Sequence, residues 1–450
     1  MTPFSGRGPP VLKFGGAALG SEDNLRRVLE RLRRLGGPCV VVVSARYGVT
    51  NRLVEFLSSR PTPARRQALW AELRRSHPGL GADSEWLLDR LKKPLTLFRG
   101  PPRVPGWLSD AILATGERLA AHWFADRLER SGMAAQPVEA DRLGLRTDAT
   151  HGGATVHLEE SRRAVRRGIE RILQKGRLPV VTGFLGRGPD GRVTTLGRGG
   201  SDYSATCLAS ILGSPWVELV KEEAPILTAD PRIVPQARPL RQLTYEEAEE
   251  LAQFGARVLH PMTIEPARLA GLEVRVASLQ GNGDTTQITP DHGDRPPARA
   301  LAGLENAALL QLRVPGGRQR KGVLAEVSDR LKAANVNVIT LFTSSVRLLA
   351  VVEPSQARQA RDALGPLAYA DGATLEGPRR VGLVTAIGEG ILQDLESLPP
   401  AVTGAALGMS ATPRSLSLAL PPEAFRRTLR ELHKSLVENL RRGEEVAGRP

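Results

Sequence analysis

Short runs of β-branched and apolar residues alternate with longer amphipathic segments along the first 281 residues. Val11–Phe14, Cys39–Val43, Pro179–Thr182 and Trp216–Val220 have the continuous apolar character of strands buried on both faces. Between them, residues 24–35, 110–131, 158–175 and 201–212 carry helical spacing. Strand and helix in alternation predict an α/β fold with a mainly parallel sheet sandwiched by helices. An arginine-rich stretch from 61 to 93 reads as an added helical insertion.

The pattern changes after residue 281. Residues 282–300 are rich in Gly, Asp, Thr and Pro and read as a linker. A strand at 308–314, a helix at 323–333, strands at 336–340 and 347–352 and a helix at 355–364 follow. Val381–Ile387 then starts the pattern again, and a helix over 422–440 closes it. The expectation is two α+β, ferredoxin-like modules in series, 301–378 and a shortened 379–450.

A chain of 450 residues exceeds one ordinary core, in agreement with several domains. No apolar run approaches the roughly 20 residues that cross a bilayer. Met1–Pro10 lacks the basic start and apolar stretch of a signal peptide. Cys39 and Cys207 have no spacing pattern and read as small core residues of a reduced, cytoplasmic protein. The net charge of +14 raises the question of nucleic acid, but aromatic residues make up only 4%. Of the 62 basic residues, 54 are arginines scattered through helical segments with no aromatic residues interleaved among them. Stacking platforms are missing, so no specific nucleic-acid partner is expected.

Four segments carry chemistry. In Val11-Leu-Lys13-Phe-Gly15-Gly16 a strand delivers a lysine, and two glycines let the backbone approach an anion. It lacks the Walker A pattern, and a plain turn is the alternative. Ser44 and Thr50 follow the strand ending at Val43, where ligands of doubly wound sheets bind. Thr50 as a simple helix cap fits equally. Thr115-Gly116-Glu117-Arg118 places a glycine mid-helix, at a cost of up to about 1 kcal/mol, which suggests close approach by a ligand or another backbone. Glu117 beside it is suited to an ammonium, or is a solvated helical residue. The most specific segment is Leu196-Gly197-Arg198-Gly199-Gly200-Ser201-Asp202, three glycines opening a helix. Its N–H groups suit a phosphate or carboxylate, and Arg198 can grip a carboxylate with two bonds. Asp202 fits a cation (an ammonium, Lys13 or a metal) or merely favours the helix dipole.

These segments, with Gly183–Arg187, Thr228-Ala-Asp-Pro-Arg232 and Phe254–Pro261 in the same order, resemble the aspartokinases of the amino-acid kinase family over residues 8–290. The tail resembles two ACT-type domains. The resemblance implies a catalytic domain over 1–281 that uses ATP and Mg2+ to phosphorylate L-aspartate to 4-phospho-L-aspartate. That is the first step towards lysine, threonine and methionine. It further implies Lys13, Gly15 and Gly16 at the phosphates and Asp202 as a catalytic partner. Glu117 would meet the α-ammonium of aspartate and Arg198 its α-carboxylate, while Ser44, Thr50 and Ser201 would position the side-chain carboxylate. Lys221, Glu222, Leu227, Arg232, Arg257 and Val258 fall at the nucleotide side. Magnesium would ride chiefly on the phosphates, with Asp202 as an additional contact. Lysine or threonine would bind near Gly322, Asn335 and Asn337, in a homodimer formed through the ACT domains; a purely structural dimerisation module is the other reading of this tail.

The departures from the family cluster on the nucleotide side. Ala17-Ala18 stand in place of Thr-Ser, and Lys221–Pro225 in place of Thr-Asp-Val-Asp-Gly. Leu227 replaces a tyrosine, Arg257 a lysine and Ala120 a serine. Two readings follow: an aspartate kinase, or a paralogue with weak or lost ATP use acting as a regulatory or amino-acid-binding partner. Another acceptor amino acid is a variant of the first.

Overall fold

The computed structural model describes residues 8–80, 85–101, 104–222, 225–254, 259–280, 285–292, 299–313, 322–344, 346–369, 373–391, 393 and 398–438. Contacts divide the chain into two units. The first holds residues 1–226, 241–245 and 259–291, and the second holds 227–240, 246–258 and 292–450.

Among the described residues the first unit holds ten strands. They are β1 (Val11–Phe14), β2 (Val40–Val43), β3 (Ala135–Val138), β4 (Leu178–Thr182), β5 (Leu185–Arg187), β6 (Val193–Thr195), β7 (Trp216–Lys221), β8 (Gln242–Thr244), β9 (Glu273–Ser278) and β10 (Thr285–Thr289). Eight form one sheet in the order β3-β4-β2-β1-β7-β9-β10-β8. From β3 to β9 every neighbour is parallel, and β10 turns antiparallel to β9. The four valines of β2 are fully buried, as a central strand covered on both faces requires. The connector expected at 282–300 therefore contributes β10 to this sheet: Thr286 and Ile288 are buried in an alternating strand that the Gly and Asp content around it obscured.

Around the sheet run α1 (Glu22–Leu35), α2 (Val49–Leu57), α3 (Pro63–Arg75), α4 (Glu85–Leu97), α5 (Gly106–Arg130), α6 (Ala140–Leu143), α7 (Leu158–Gln174) and α8 (Gly200–Leu212); α9 (Tyr245–Gln253) belongs to the second unit except for its first residue, and α10 (Pro261–Ala270) returns to the first. The insertion is helical, as α3 and α4, with Leu69, Leu73, Leu87, Leu88, Leu91 and Leu95 packed into a core shared with α2 and α5. Cys39 and Cys207 are both buried. Among the described residues no helix is long and apolar enough to cross a membrane.

The second unit carries β11 (Ala300–Arg313), β12 (Val338–Thr343), β13 (Arg347–Val352), β14 (Thr374–Ile387), β15 (Gly408–Thr412) and β16 (Ser415–Leu420) in one sheet ordered β12-β13-β11-β14-β16-β15. Its helices are α11 (Val323–Ala333), α12 (Ala357–Tyr369), α13 (Pro400–Gly404) and α14 (Pro422–His433). The two expected modules are not laid end to end. Ala300–Leu304 of β11 pairs with Leu383–Ile387 of β14, while Ala307–Arg313 pairs with the first part of β14 and with β13. The first βαββαβ module is thus nested between the halves of the second, and both share two long strands. A register shift between Leu304 and Ala307 marks the change of module. Phe425 of α14 lies against Gly303 and Gly382, where an added Cβ would come within 2.8 and 2.6 Å of its ring atoms.

Candidate functional site

Three parallel strands deliver the centre of the site. Lys13 is the penultimate residue of β1, Ser44 follows β2, and Lys221 ends β7. Because β2, β1 and β7 are parallel neighbours, all three reach the same carboxyl edge of the sheet. Into this edge α8 points its first turn, with Ser201 half-buried and Asp202 buried.

Asp202 is held between two ammonium groups. Its Oδ1 lies 2.6 Å from Lys13 Nζ and its Oδ2 accepts from Lys221 Nζ at 2.6 Å. Of the alternatives open for Asp202, the structure selects cation handling. Burial acts to raise its pKa, but the two lysine charges outweigh that and hold it well below the carboxylate range. Burial in turn lowers the pKa of Lys13, with Asp202 opposing. Each oxygen of Asp202 thus faces a lysine ammonium. Among the described residues no three His, Cys, Asp or Glu side chains gather as a metal-binding set.

The glycine turns are set by close approach. A Cβ on Gly16 would stand 2.4 Å from the Ala45 carbonyl oxygen, so the turn after β1 tolerates no side chain there. Gly197 and Gly199 have φ of 72° and 69°, left-handed values that glycine adopts without strain. Arg198, exposed between them, has its charge beside His260, whose pKa is lowered by burial and then by that guanidinium. Ser201 packs on Gly183, where a Cβ would come within 2.7 Å of the serine Cβ.

Glu117 is 3% exposed, which excludes the solvated reading. Its Oε1 accepts the Ala45 N–H at 3.1 Å, while Oε2 is buried without a hydrogen-bond partner. Burial pushes its pKa up to about 7, against the Ala45 N–H and the charge of Lys13. Gly116 next to it faces Ala45 and Val49, and a Cβ would sit 2.8 Å from Ala45 Cβ. The mid-helix glycine therefore serves the contact of α5 with the turn after β2, not a ligand. Arg118 on the same helix bonds Asp141 at 2.6 Å. Thr50 is the second residue of α2, whose cap is Gly48, so it is not the N-cap. Glu222 is exposed, and its Oε1 accepts from Asn24 Nδ2 at 3.3 Å.

Two positioning features escape a reading by motif. Asp110, 1% exposed at the start of α5, accepts from Thr195 Oγ1 at 2.6 Å and from the Gly152 N–H at 3.1 Å, and His151 Nδ1 lies 2.6 Å away. This ties β6 and the 148–153 loop beside Gly197, where a Cβ would come within 3.2 Å of the Gly152 oxygen. Phe184 holds a left-handed φ of 66° while its ring covers Gly200. A lone polar residue in a predicted helix and an aromatic between strands gave no local signal of either role.

Other expected residues lie elsewhere. Leu227 and Arg232 belong to the second unit, where Leu227 bridges to Pro239 and Arg232 pairs with Asp230 at 2.6 Å. Arg257 and Val258 are outside the described residues. Asn335 and Asn337 share the wall of a cavity of about 560 Å³ with Lys332 and Gln356, whereas Gly322 caps α11 outside that wall. Gln356 knits the two together, donating to the Asn335 oxygen at 3.1 Å and accepting the Asn337 N–H at 3.0 Å.

With the geometry in place, residues 9–278 match the Amino acid kinase family. This chain belongs to that family. Within it, the chain is similar to the lysine-sensitive aspartokinase 3 of Escherichia coli, 30% identical over 366 residues that cover 79% of this chain and 80% of the relative. It is 31% identical over 364 residues, 77% of its length, to the chloroplastic aspartokinase 1 of Arabidopsis thaliana, of which it spans 63%. The crystal structure of E. coli aspartokinase III in complex with aspartate and ADP (R-state) superposes with a TM-score of 0.77 at 26% identity, covering 95% of this chain and 99% of that one. The fold and the order of motifs are those of an aspartokinase.

Proposed function

We propose that this aspartokinase relative transfers the γ-phosphoryl group of ATP to the side-chain carboxylate of L-aspartate, giving 4-phospho-L-aspartate and ADP. The observation that carries this reading is the pairing of unlike groups at one strand edge. A cation tied to Asp202 lies within electrostatic reach of Glu117, a buried carboxyl with one oxygen unspent. The first suits phosphate oxygens and the second an ammonium.

The chemistry asks little covalent help of the protein. A carboxylate oxygen of aspartate, already ionised at neutral pH, forms the new bond to the γ-phosphorus as the bond to the ADP oxygen breaks. Lys13, with the N–H groups of the Gly15-Gly16 turn, neutralises and cradles the phosphates. Glu117 takes the α-ammonium and Arg198 the α-carboxylate, leaving Ser44, Thr50 and Ser201 to orient the attacking carboxylate. Magnesium bound to the nucleotide would supply further charge neutralisation. Lysine or threonine acting at the cavity of Asn335 and Asn337, and a dimer formed through the nested modules in the cytoplasm, complete the reading as feedback regulation.

The test is release of ADP by the purified chain with ATP and magnesium, with and without aspartate. Aspartate-dependent release that Arg198→Ala abolishes supports the reading. Equal release with and without aspartate, or with other amino acids in its place, overturns the acceptor assignment.

A further inference from the structure

A cavity of about 560 Å³ lies at the outer edge of β3, and none of its lining residues belongs to the groups assigned to phosphoryl transfer. Its floor is apolar, with Val138, Leu143 and Ile172, while Trp86, Arg171 and Lys175 stand exposed around it. Glu139 is the carboxylate in its wall, and that charge is already countered. Arg90 pairs with Glu139 Oε1, and Arg118 Nε and Arg142 Nε lie 3.1 and 3.3 Å from its Oε2. Burial acts to raise the Glu139 pKa, but a bond from His122 and the charges of Arg118 and Arg90 hold it down to about 2. Asp141 is likewise paired, with Arg118 at 2.6 Å. Arg171 and Lys175, four apart at the end of α7, have no carboxylate partner among the described residues. Arg90, Arg118, Arg142, Arg171 and Lys175 thus set five cations against the two carboxylates Glu139 and Asp141, a positive excess that draws an anion. The last turn of a helix favours cations in itself. That does not account for their place on the wall of an apolar cavity beside an exposed tryptophan. Trp86 is 53% exposed, with the Arg90 guanidinium 5.1 Å from its ring centroid and the His122 ring edge-on at 5.8 Å. These contacts fix the indole and leave the rest of its surface open. Trp86 and Arg90 belong to α4, part of the helical insertion that phosphoryl transfer leaves without a role. An added β-strand does not suit the place, because Pro137 of the edge strand β3 has no N–H to extend the ladder. A concave, mostly apolar cavity of this size with a few cations at its rim suits a small molecule.

We propose that this cavity is a second ligand site of the first unit and takes a small aromatic anion, its flat ring against Trp86 and the apolar floor and its carboxylate or phosphate on Arg171 and Lys175. The inference goes beyond the phosphoryl-transfer reading and does not depend on it.

The test is calorimetric titration of the full chain with indoleacetate and with UMP, each beside its neutral counterpart, indoleacetamide or uridine. At least one anion should saturate the chain below about 1 mM. Its neutral counterpart should bind roughly 10-fold more weakly, having no charge to place on the two cations. Binding by indoleacetate identifies a carboxylate ligand, and binding by UMP a phosphate ligand. The double substitution Arg171→Ala with Lys175→Ala should weaken the anion roughly 10-fold and leave the neutral counterpart unchanged. Arg171→Lys with Lys175→Arg should keep most of the affinity. Trp86→Ala should weaken anion and neutral counterpart alike, roughly 10-fold, through loss of stacking. Failure of both anions to saturate, or equal affinity in the unaltered and double-alanine forms, overturns the proposal. UMP that the double-alanine form still binds, and that ADP displaces, is held at the catalytic centre and also counts against it. If Trp86→Ala fails to fold, the substitutions at the exposed Arg171 and Lys175 decide. Failure of aspartate-dependent ADP release overturns the phosphoryl-transfer reading and leaves this inference standing.

Discussion

Glu117 should make aspartate binding dependent on pH in the neutral range. Its Oε2 is buried and unpartnered, and burial raises the group to a pKa of about 7 in the free protein. Only the ionised form accepts an ammonium with full strength. Aspartate affinity should therefore climb by nearly tenfold per pH unit below about pH 7 and level off above it, a change of about tenfold between pH 8 and pH 6. Stability runs the other way. With the folded pKa raised above 4.5, the native chain keeps a proton that the unfolded chain has released, so the stabilisation from this group is full below pH 4.5 and is lost as pH rises through about 7. The displacement is worth roughly 3 kcal/mol at most, at about 1.4 kcal/mol per pH unit. The assay is calorimetric or fluorescence titration of aspartate from about pH 5.5 to pH 8.5 on the unaltered chain and on Glu117→Gln. The glutamine form should bind weakly, by roughly 10- to 100-fold, since the charged bond is gone, and with no dependence on pH. A flat profile in the unaltered chain, or a profile unchanged by the substitution, would refute the assignment of the ammonium to Glu117.

Arg198→Ala should raise the KM for aspartate roughly 10- to 100-fold through loss of a charge-assisted grip, with an unchanged melting temperature because the side chain is exposed. Gly16→Ala should abolish nucleotide binding while far-ultraviolet circular dichroism stays the same, because the added Cβ would meet the Ala45 oxygen at 2.4 Å and displace the turn. Phe425→Ala, in the core of the second unit, should cost about 3–5 kcal/mol of that unit's stability, read as an earlier transition in calorimetry. Gly116→Val should destabilise the first unit by about 1–3 kcal/mol through overpacking against Ala45 and Val49, seen in urea unfolding.

Periodicity located β1, β2, β4 and β7 and the helices α1, α5, α7 and α8 within a few residues, because buried strands such as Val40–Val43 and amphipathic helices such as Glu22–Leu35 report burial directly; short elements such as β5, β6 and α6 gave no such signal. It failed where composition and burial disagree. Thr285–Thr289 sits in a run of Gly, Asp and Pro and looks like a connector, yet its alternate residues Thr286 and Ile288 face a core. Nesting of the two C-terminal modules was illegible for another reason. The pairing of Ala300–Leu304 with Leu383–Ile387 is a contact across about eighty residues, and no local pattern distinguishes it from two modules in series.

The site was legible as residue types and illegible as pairings. Lys13, Glu117, Arg198 and Asp202 stand out because each breaks a local rule, such as an acid where anions should gather or a glycine inside a helix. What each one touches is set by strands distant in sequence. Gly116 exists for Ala45, and Asp202 for two lysines on separate strands. Lys221 shows why this matters for function. By motif it is a departure that subtracts a hydroxyl-bearing segment from the nucleotide edge. In the fold the same departure places a cation at the carboxyl edge of the sheet, 2.6 Å from the carboxylate that also pairs with Lys13. A substitution that reads as loss in one dimension is a change of donor in three, from neutral hydroxyl to ammonium.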